Sequence, residues 1–491
     1  MILEPPLPPP GELSSEHSSV CWFMADPNAG AKLEGSGIGL DIFDPGFDFQ
    51  QMGRNGGDGS LIPMIPLPPS NFPYFTGFTN SSFKAPTFAN STFINNQNPH
   101  ENFMPQTYLG AIPMQLPNEA AWQQQAVIDP LFKAAKLLES GNTISAHRIL
   151  ARLNHQLPSP SGKPFLRTAF YFKEALLAIS NGSSEQCSFS LGSPLDVLLK
   201  LSAYKAFAEI SPVLLFTSFT STQIILEELA GANVIHVIDF DVGVGSHWPA
   251  LIQELSERRS AVTGAPLQLR ITAFVSVASH HQVELHLIHE NLNHFAADLN
   301  VPFELNFLPF ESFDPASIIF SCSPSDVAIA VNFAFGFCHH HLSTQSLLFL
   351  IKQLSPKILI SVNLGYDRGD ISFSHHVLHS FQSTTVLLDS IEASGVSPEI
   401  TDRIERYMLR PRIVNSLLGR YKTGEKLLPW RTFFTSAGFV PLQFSNFAES
   451  QADCLLKKAQ VRGFEVEKCE AALMLSWKQQ EIAVVSAWRC Q

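Results

Sequence analysis

Basic residues are scarce in this chain. It sets only 32 Lys and Arg against 44 Asp and Glu, a formal charge of -12 over 491 residues. The molecule as a whole is therefore no electropositive sponge for phosphate backbones, and any nucleic-acid contact must come from a local patch. Cysteine is also sparse. The seven (Cys21, Cys187, Cys322, Cys338, Cys454, Cys469 and Cys490) are odd in number, scattered and without a CxxC pair, which fits reduced thiols in the cytosol or nucleus better than a disulfide framework or a zinc site. No apolar run approaches the roughly 18 to 20 residues of a membrane helix, and the opening MILEPPLPPPGELSSEH has no basic stretch leading into an apolar one. Secretion and membrane spanning are not expected. What is present is a 45% hydrophobic composition, enough for one large or two ordinary domains with real cores.

Composition divides the chain near residue 128. Residues 1–128 hold half of the 34 prolines, many Gly, Asn and Ser, and about three basic residues, the make-up of a segment unable to bury enough surface to fold. They also hold about eleven Phe, set singly among polar residues or interleaved with acids, as in Asp41-Ile42-Phe43-Asp44-Pro45-Gly46-Phe47-Asp48-Phe49. That alternation keeps aromatic side chains solvated and available to a partner's groove. A disordered regulatory tail is the expectation for 1–128, and a folded domain for 129–491.

Within the folded part, Leu131, Ala134, Ala135, Leu137 and Leu138 recur at helical spacing until Gly141-Asn142, and a second helix carries Ile144, Ile149, Leu150 and Leu153. Further helices are expected at about 166–180 and 195–209. A helical cap over 129–230 follows, with Leu137, Leu138, Ile149, Leu150 and Leu153 as a candidate apolar face for partner proteins. Beyond it, VIHVIDF (234–240), LQLRITAF (267–274), FELNFL (303–308), DVAIAVNF (326–333) and KILISVNL (357–364) alternate with helix-length stretches. Such alternation reads as a parallel sheet with helices on both faces. GFEVEKC, ALMLSW and IAVVSAW then close the chain as an antiparallel meander. The predicted class is α/β, Rossmann-like and close to the methyltransferases, with a core over 231–491.

The sharpest motif is Val237-Ile238-Asp239-Phe240-Asp241-Val242-Gly243-Val244-Gly245-Ser246-His247-Trp248-Pro249. A buried strand runs into an acid, two glycines permit close backbone approach, and Ser246 is placed to cap a helix with Pro249 in its first turn. In a dinucleotide or S-adenosylmethionine enzyme that geometry presents amide N–H groups to the ligand, with Asp241, Gly243 and Gly245 as the contacts. Such a site also needs a carboxylate at the end of the next strand for the ribose, and that strand ends Ile271-Thr272-Ala273-Phe274. His247 and Trp248 stand where a third small residue would ease helix packing. No bound cofactor is expected.

These residues resemble a known family. VIHVIDFDVGVGSHWPALIQEL resembles the VHIID block of the plant GRAS transcriptional regulators; LFKAAKLLESGN, AHRILARLNHQL and PFLRTAFYFKEAL resemble their first leucine-rich region. LMLSWKQQEIAVVSAWRC resembles the terminal SAW block, with Trp477, Ser486, Ala487 and Trp488 in place. ILARLNHQL, SPKILISVNLGYDRGD and FSNFAESQADCLL are similar to the hairy-meristem type of scarecrow-like proteins. FQSTTVLLDSIE (381–392) departs from the aromatic pair of the family's PFYRE block. The resemblance implies a nuclear regulator of meristem maintenance and cell differentiation on a Rossmann-like core that has lost methyl transfer. It also implies partners among WUSCHEL-type homeodomain proteins and other GRAS chains, homodimers, and promoter DNA.

The remaining features carry plainer readings. His339-His340-His341 point in divergent directions without spaced acidic or Cys ligands, so no metal is expected there; His280-His281 and His375-His376 read as helix-face residues. Arg403, Arg406, Arg410 and Arg412 belong to the most basic stretch, and on a helix over 399–418 the first three share one face, a candidate phosphate-contacting stripe. The alternatives are a solvated charged face and an adaptor that reaches DNA only through others. In IAVVSAWRC, the alternation places Trp488 at the end of a buried strand.

Overall fold

The structure, a computed structural model, describes residues 119–182, 193–258, 264–275, 280–321, 327–333, 344–365, 368–424, 428–459 and 461–490. The tail expectation for 1–118 and the His339-His340-His341 run lie outside these residues.

Among the described residues five helices precede the first strand: α1 (Glu119–Glu139), α2 (Thr143–Leu153), α3 (Pro164–Ser180), α4 (Pro194–Ile210) and α5 (Val213–Glu228). Helix α1 begins about ten residues before the compositional boundary. Its first turns, Glu119-Ala120-Ala121-Trp122-Gln123-Gln124-Gln125-Ala126, are good helix formers with few apolar residues, which propensity favours and a periodicity test misses. Parallel strands β1 (Val234–Asp239), β2 (Gln268–Val275), β3 (Phe303–Pro309), β4 (Val327–Phe333) and β5 (Ile358–Asn363) alternate with α6 (Trp248–Ser256), α7 (Gln282–Asp298), α8 (Pro315–Ser321) and α9 (Thr344–Gln353). After β5 come α10 (Phe373–Glu392), α11 (Pro398–Ile404), a π-helical turn (Glu405–Leu409), α12 (Arg410–Thr423), α13 (Trp430–Ser436), β6 (Phe439–Leu442) and α14 (Asn446–Lys458). The meander β7 (Phe464–Cys469), β8 (Ala472–Trp477) and β9 (Gln480–Cys490) ends the chain.

One sheet results, in the order β3-β2-β1-β4-β5-β9-β8-β7, with β6 paired to the end of β9. The first five strands are parallel and β9, β8, β7 and β6 antiparallel. Val- and Ile-rich runs buried on both faces suit the central parallel strands β1, β4 and β5, while the edge strand β3 is largely exposed. Among the described residues no single helix is long and apolar enough to cross a membrane.

The cap is not contiguous in sequence. Leu131, Ala135 and Leu138 of α1, Leu150 and Leu153 of α2 and Phe172 of α3 share one core cluster with Phe373, Val377 and Phe381 of α10 and Ile413 and Leu417 of α12. Each Leu, Ile, Val and Phe among them contributes about 1.5–3 kcal/mol on burial, and three amphipathic helices alone leave one side of their core open, which α10 and α12 close. Helix α5, expected in the cap, instead packs on β5, β8 and β9. The cap is also tied at a helix end: Ser372 makes no side-chain cap to α10, and the Glu139 carboxylate of α1 accepts the N–H groups of Phe373 (3.1 Å) and Ser374 (3.3 Å) in its place.

Candidate functional site: the crevice at the carboxyl edge of the sheet

The chain runs outward from β1 through β2 to β3 and then returns to lay β4 on the other side of β1. In open α/β sheets the ligand crevice lies at this change of direction, outside the strands' carboxyl ends. Here its two walls are joined. Asp239, the last residue of β1, is in register with Asn332 of β4, and the Asn332 Nδ2 donates to Asp239 Oδ1 at 2.7 Å. The Trp248 indole Nε1 donates to Oδ2 at 2.9 Å, and the Asp241 N–H donates to Oδ1 at 2.9 Å. Asp239 is 0% exposed. Burial pushes its carboxyl up to about 7 even though these three donors pull it down.

The glycine loop is folded against the protein as well. Gly243 and Gly245 take φ of 54° and 77°, the left-handed region that glycine enters without Cβ strain. The Gly245 N–H donates to the Val242 carbonyl (2.8 Å), and the Ser218 hydroxyl of α5 donates to the His247 carbonyl (2.9 Å). Val242 and Val244 are buried while Asp241 is exposed. Burial holds the half-buried His247 below the usual histidine range; Asp241 pulls it up and Arg412 pushes it further down, so the three share one neighbourhood. Helix α6 starts at Trp248 with Pro249 in its first turn and without a side-chain cap. Ser246 thus lies too early to be the cap, and Pro249 brings no N–H to the helix end. His280 and His281 precede α7 rather than lie on it, and His281 Nδ1 accepts the Val283 N–H (3.1 Å) as the helix cap.

Aromatic rings fill the space beside the loop. Phe240, following β1, stacks on Phe274 near the end of β2 at 5.4 Å between centroids. Phe313 meets Phe240 edge-on at 5.1 Å and Phe274 at 5.0 Å, and Phe310 lies 6.3 Å from Phe240. Phe274 therefore stands where a ribose-binding carboxylate would, in a dry cluster worth about 0.5–1.5 kcal/mol per ring pair beyond burial. Under the loop lies a cavity of ≈ 10 Å³, lined by Ser221, Ile225, Val237, His247, Trp248 and Asn332 among others. It has room for about one water, against about 300–1,000 Å³ for a small-molecule pocket. Among the described residues no three His, Cys, Asp or Glu side chains form a group that could hold a metal ion.

The other singled-out residues fall in three places. Val237, Ile238 and Phe240 are core. Of the SAW residues, Trp477 is buried and its Nε1 donates to Asp389 Oδ2 (2.8 Å), joining β8 to α10. Trp488 is 1% exposed, stacks on Phe434 at 4.7 Å and donates from Nε1 to the Ser486 Oγ (3.1 Å); Ser486 and Ala487 are buried beside β5. In the cap, Leu138, Leu150 and Leu153 are fully enclosed, and Leu137 and Ile149 are partly buried against the same cluster. These five positions are the inner face of the cap and not an open groove, because amphipathic periodicity marks the buried stripe whatever covers it.

The arginine stripe is altered by backbone. The π-helical turn at Glu405–Leu409 interrupts the predicted single helix and changes the phase of side chains across it. Arg406 and Arg410 are exposed, whereas Arg403 and Arg412 are half-buried against α4. The Arg403 Nη1 donates to Ser202 Oγ (2.9 Å), and the Arg412 Nη2 reaches the Tyr204 hydroxyl (3.5 Å) with its guanidinium 5.7 Å from that ring. The buried Glu405 within the turn pairs with Arg167 Nε of α3 at 2.8 Å. Asn332, Phe310 and Phe313 were not foreseen from sequence. An amide in the otherwise apolar run VAIAVNF was the readable sign of the first, since a buried polar side chain implies a partner.

Sheet order and strand direction define the class: a Rossmann-like fold of the methyltransferase type, a mostly parallel sheet finished by antiparallel strands, in which the described residues at the β1–β4 edge bond to one another. Within that class the chain belongs to the GRAS domain family, whose model matches residues 127–489. It is similar to Scarecrow-like protein 6 of Arabidopsis thaliana, 42% identical over 367 residues that cover 74% of this chain and 63% of that protein. It is also similar to the Scarecrow-like transcription factor PAT1 of Arabidopsis thaliana, 28% identical over 379 residues covering 73% of this chain and 75% of that one. The crystal structure of SCL7 from Oryza sativa superposes with a TM-score of 0.56 at 26% identity, covering 74% of this chain and 99% of that chain. The chain spans less than two thirds of the length of Scarecrow-like protein 6.

Proposed function

We propose that the chain is a nuclear regulator of transcription in plant development, of the hairy-meristem type, which works by binding other proteins and performs no methyl transfer. The observation that carries this reading is the packing at the head of the glycine loop: Asp239 accepts from Trp248, Asn332 and the Asp241 N–H, and Phe274, stacked on Phe240, stands where the ribose-binding carboxylate would. Membership of a family that includes a relative named as a transcription factor supports it. WUSCHEL-type homeodomain proteins and other GRAS chains, including a second copy of this one, are the partners this reading implies. Promoter DNA, if met directly, meets Arg406 and Arg410, the two exposed members of the stripe. The hold of Tyr204 on Arg412 and the charge of -12 favour the adaptor form, in which a bound transcription factor supplies base readout.

Calorimetric titration of the full chain with S-adenosylmethionine tests the reading. No saturable heat is expected up to about 1 mM ligand, and Asp241→Ala is expected to leave activity in a transcriptional reporter unchanged. Saturable micromolar binding lost in Asp241→Ala would establish a methyltransferase-like site and overturn the proposal.

A further inference from the structure

The outer face of α4 combines exposed leucines with neighbouring arginines. Leu195 and Leu198 are 56% and 48% exposed; three residues apart on a helix, they form one apolar step. Arginines frame it. Four residues after Leu198, Ser202 holds the Arg403 guanidinium at 2.9 Å, which puts that charge one turn from Leu198. Next to Leu195, Asp196 Oδ1 accepts from the Tyr407 hydroxyl (3.4 Å), and the exposed Arg406 lies 5.5 Å from the Tyr407 ring. The surface thus offers an apolar step flanked by two cations, its Asp196 carboxylate taken up by the Ser193 and Tyr407 hydroxyls, on a chain whose formal charge is -12.

We infer that this α4–α11 face docks a partner-protein segment in which acidic residues alternate with large apolar ones; the inference rests on the reading of the chain as a regulator that works through protein contacts. Complementarity selects that occupant. Carboxylates match the forked donors of Arg403 and Arg406, and interleaved apolar side chains cover Leu195 and Leu198, removing their surface from water. A DNA backbone would satisfy the arginines and gain nothing from two leucines, while a purely apolar helix would leave two cations facing it. Arginine held at the rim by Ser202 and by the Tyr407 ring is also partly ordered before binding, which lowers the entropic cost of recognition.

The test uses the full chain and two labelled synthetic peptides, one of three Asp-Phe-Asp-Leu repeats and one of three Asp-Ser-Asp-Gly repeats, together with a short DNA duplex, in fluorescence anisotropy. The apolar-acidic peptide is expected to bind at least about tenfold more tightly than the acidic control and the duplex. The paired substitution Leu195→Ser with Leu198→Ser, and separately Arg406→Glu, are each expected to weaken it by about tenfold or more; an unchanged circular dichroism spectrum shows that the fold is kept. Equal binding of the two peptides, preference for the duplex, no binding, or indifference to the leucine pair each overturns the inference. Because binding is read directly on purified protein, it can fail while the reporter and S-adenosylmethionine results stand, and the converse.

Discussion

Trp248→Phe isolates the bond that closes the crevice. The substitution keeps an aromatic ring in a site where Trp248 is only 3% exposed and deletes one N–H that donates at 2.9 Å to a buried carboxylate. A hydrogen bond to a charged group contributes about 1.5–3 kcal/mol, and the abandoned Asp239 Oδ2 finds no water at 0% exposure. A folded part of about 370 residues has an unfolding entropy near 0.8 kcal/mol per kelvin, so the melting temperature should fall by about 2–4 °C. Asn332→Ala removes the 2.7 Å bond to Oδ1 and adds a small cavity; both changes strip the same carboxylate, so the double variant should be non-additive by about 0.5 kcal/mol or more. Urea and thermal unfolding at about pH 9, where a carboxyl raised to about 7 is ionised, measure all four corners of the cycle. Asp239→Ala is the sharpest control, because the Trp248, Asn332 and Asp241 donors would then all face an empty site. A neutral Trp248→Phe, or strict additivity with Asn332→Ala, would refute the account of Asp239 as a structural tie. An Asp239→Ala more stable than Trp248→Phe would show that desolvation of the carboxylate outweighs its three bonds.

Trp488→Ala should cost about 3–5 kcal/mol through lost burial and the Phe434 stack, and lower the melting temperature together with partner binding; an unchanged melting temperature with lost binding would make it a contact residue instead. Two groups lower stability on the acid side, against Asp239, whose raised carboxyl adds stability as pH falls from about 7 toward the ordinary carboxylate range. Burial alone would raise the Glu139 carboxyl, but the hydroxyl and N–H of Ser374, the N–H of Phe373 and His375 outweigh it and hold the group below the usual carboxylate range. Its contribution is full above the unfolded carboxylate pKa and lost as pH falls through the lower folded value, and Glu139→Gln should flatten that limb of a urea-midpoint-versus-pH curve. Burial, helped by Arg270, lowers His236 to about 4. The neutral form is native, so stability is complete above about 6.5 and declines from there toward 4; a curve for His236→Gln that keeps this decline would rule out His236 as its source.

Sequence alone settled those features of this protein that depend on local pattern. Short runs rich in β-branched, leucine and aromatic residues placed β1 to β5 within a residue or two, and the closing meander was legible because β7, β8 and β9 follow one another through short turns. Family membership was legible as well, since its blocks are strings of adjacent residues. Tertiary structure decided what periodicity cannot express. A repeat of leucines states that one face is buried but not by what, and α10 and α12 supplied the cover from more than two hundred residues downstream. Arg403, Arg406 and Arg410 share a face only in an unbroken α-helix, and the π-helical turn at Glu405–Leu409, anchored by Arg167, redistributed them. Whether Asp239 faced a ligand or a neighbour turned on Asn332, 93 positions away, because the parallel pairing of β1 with β4 alone brings the two side chains within hydrogen-bonding distance.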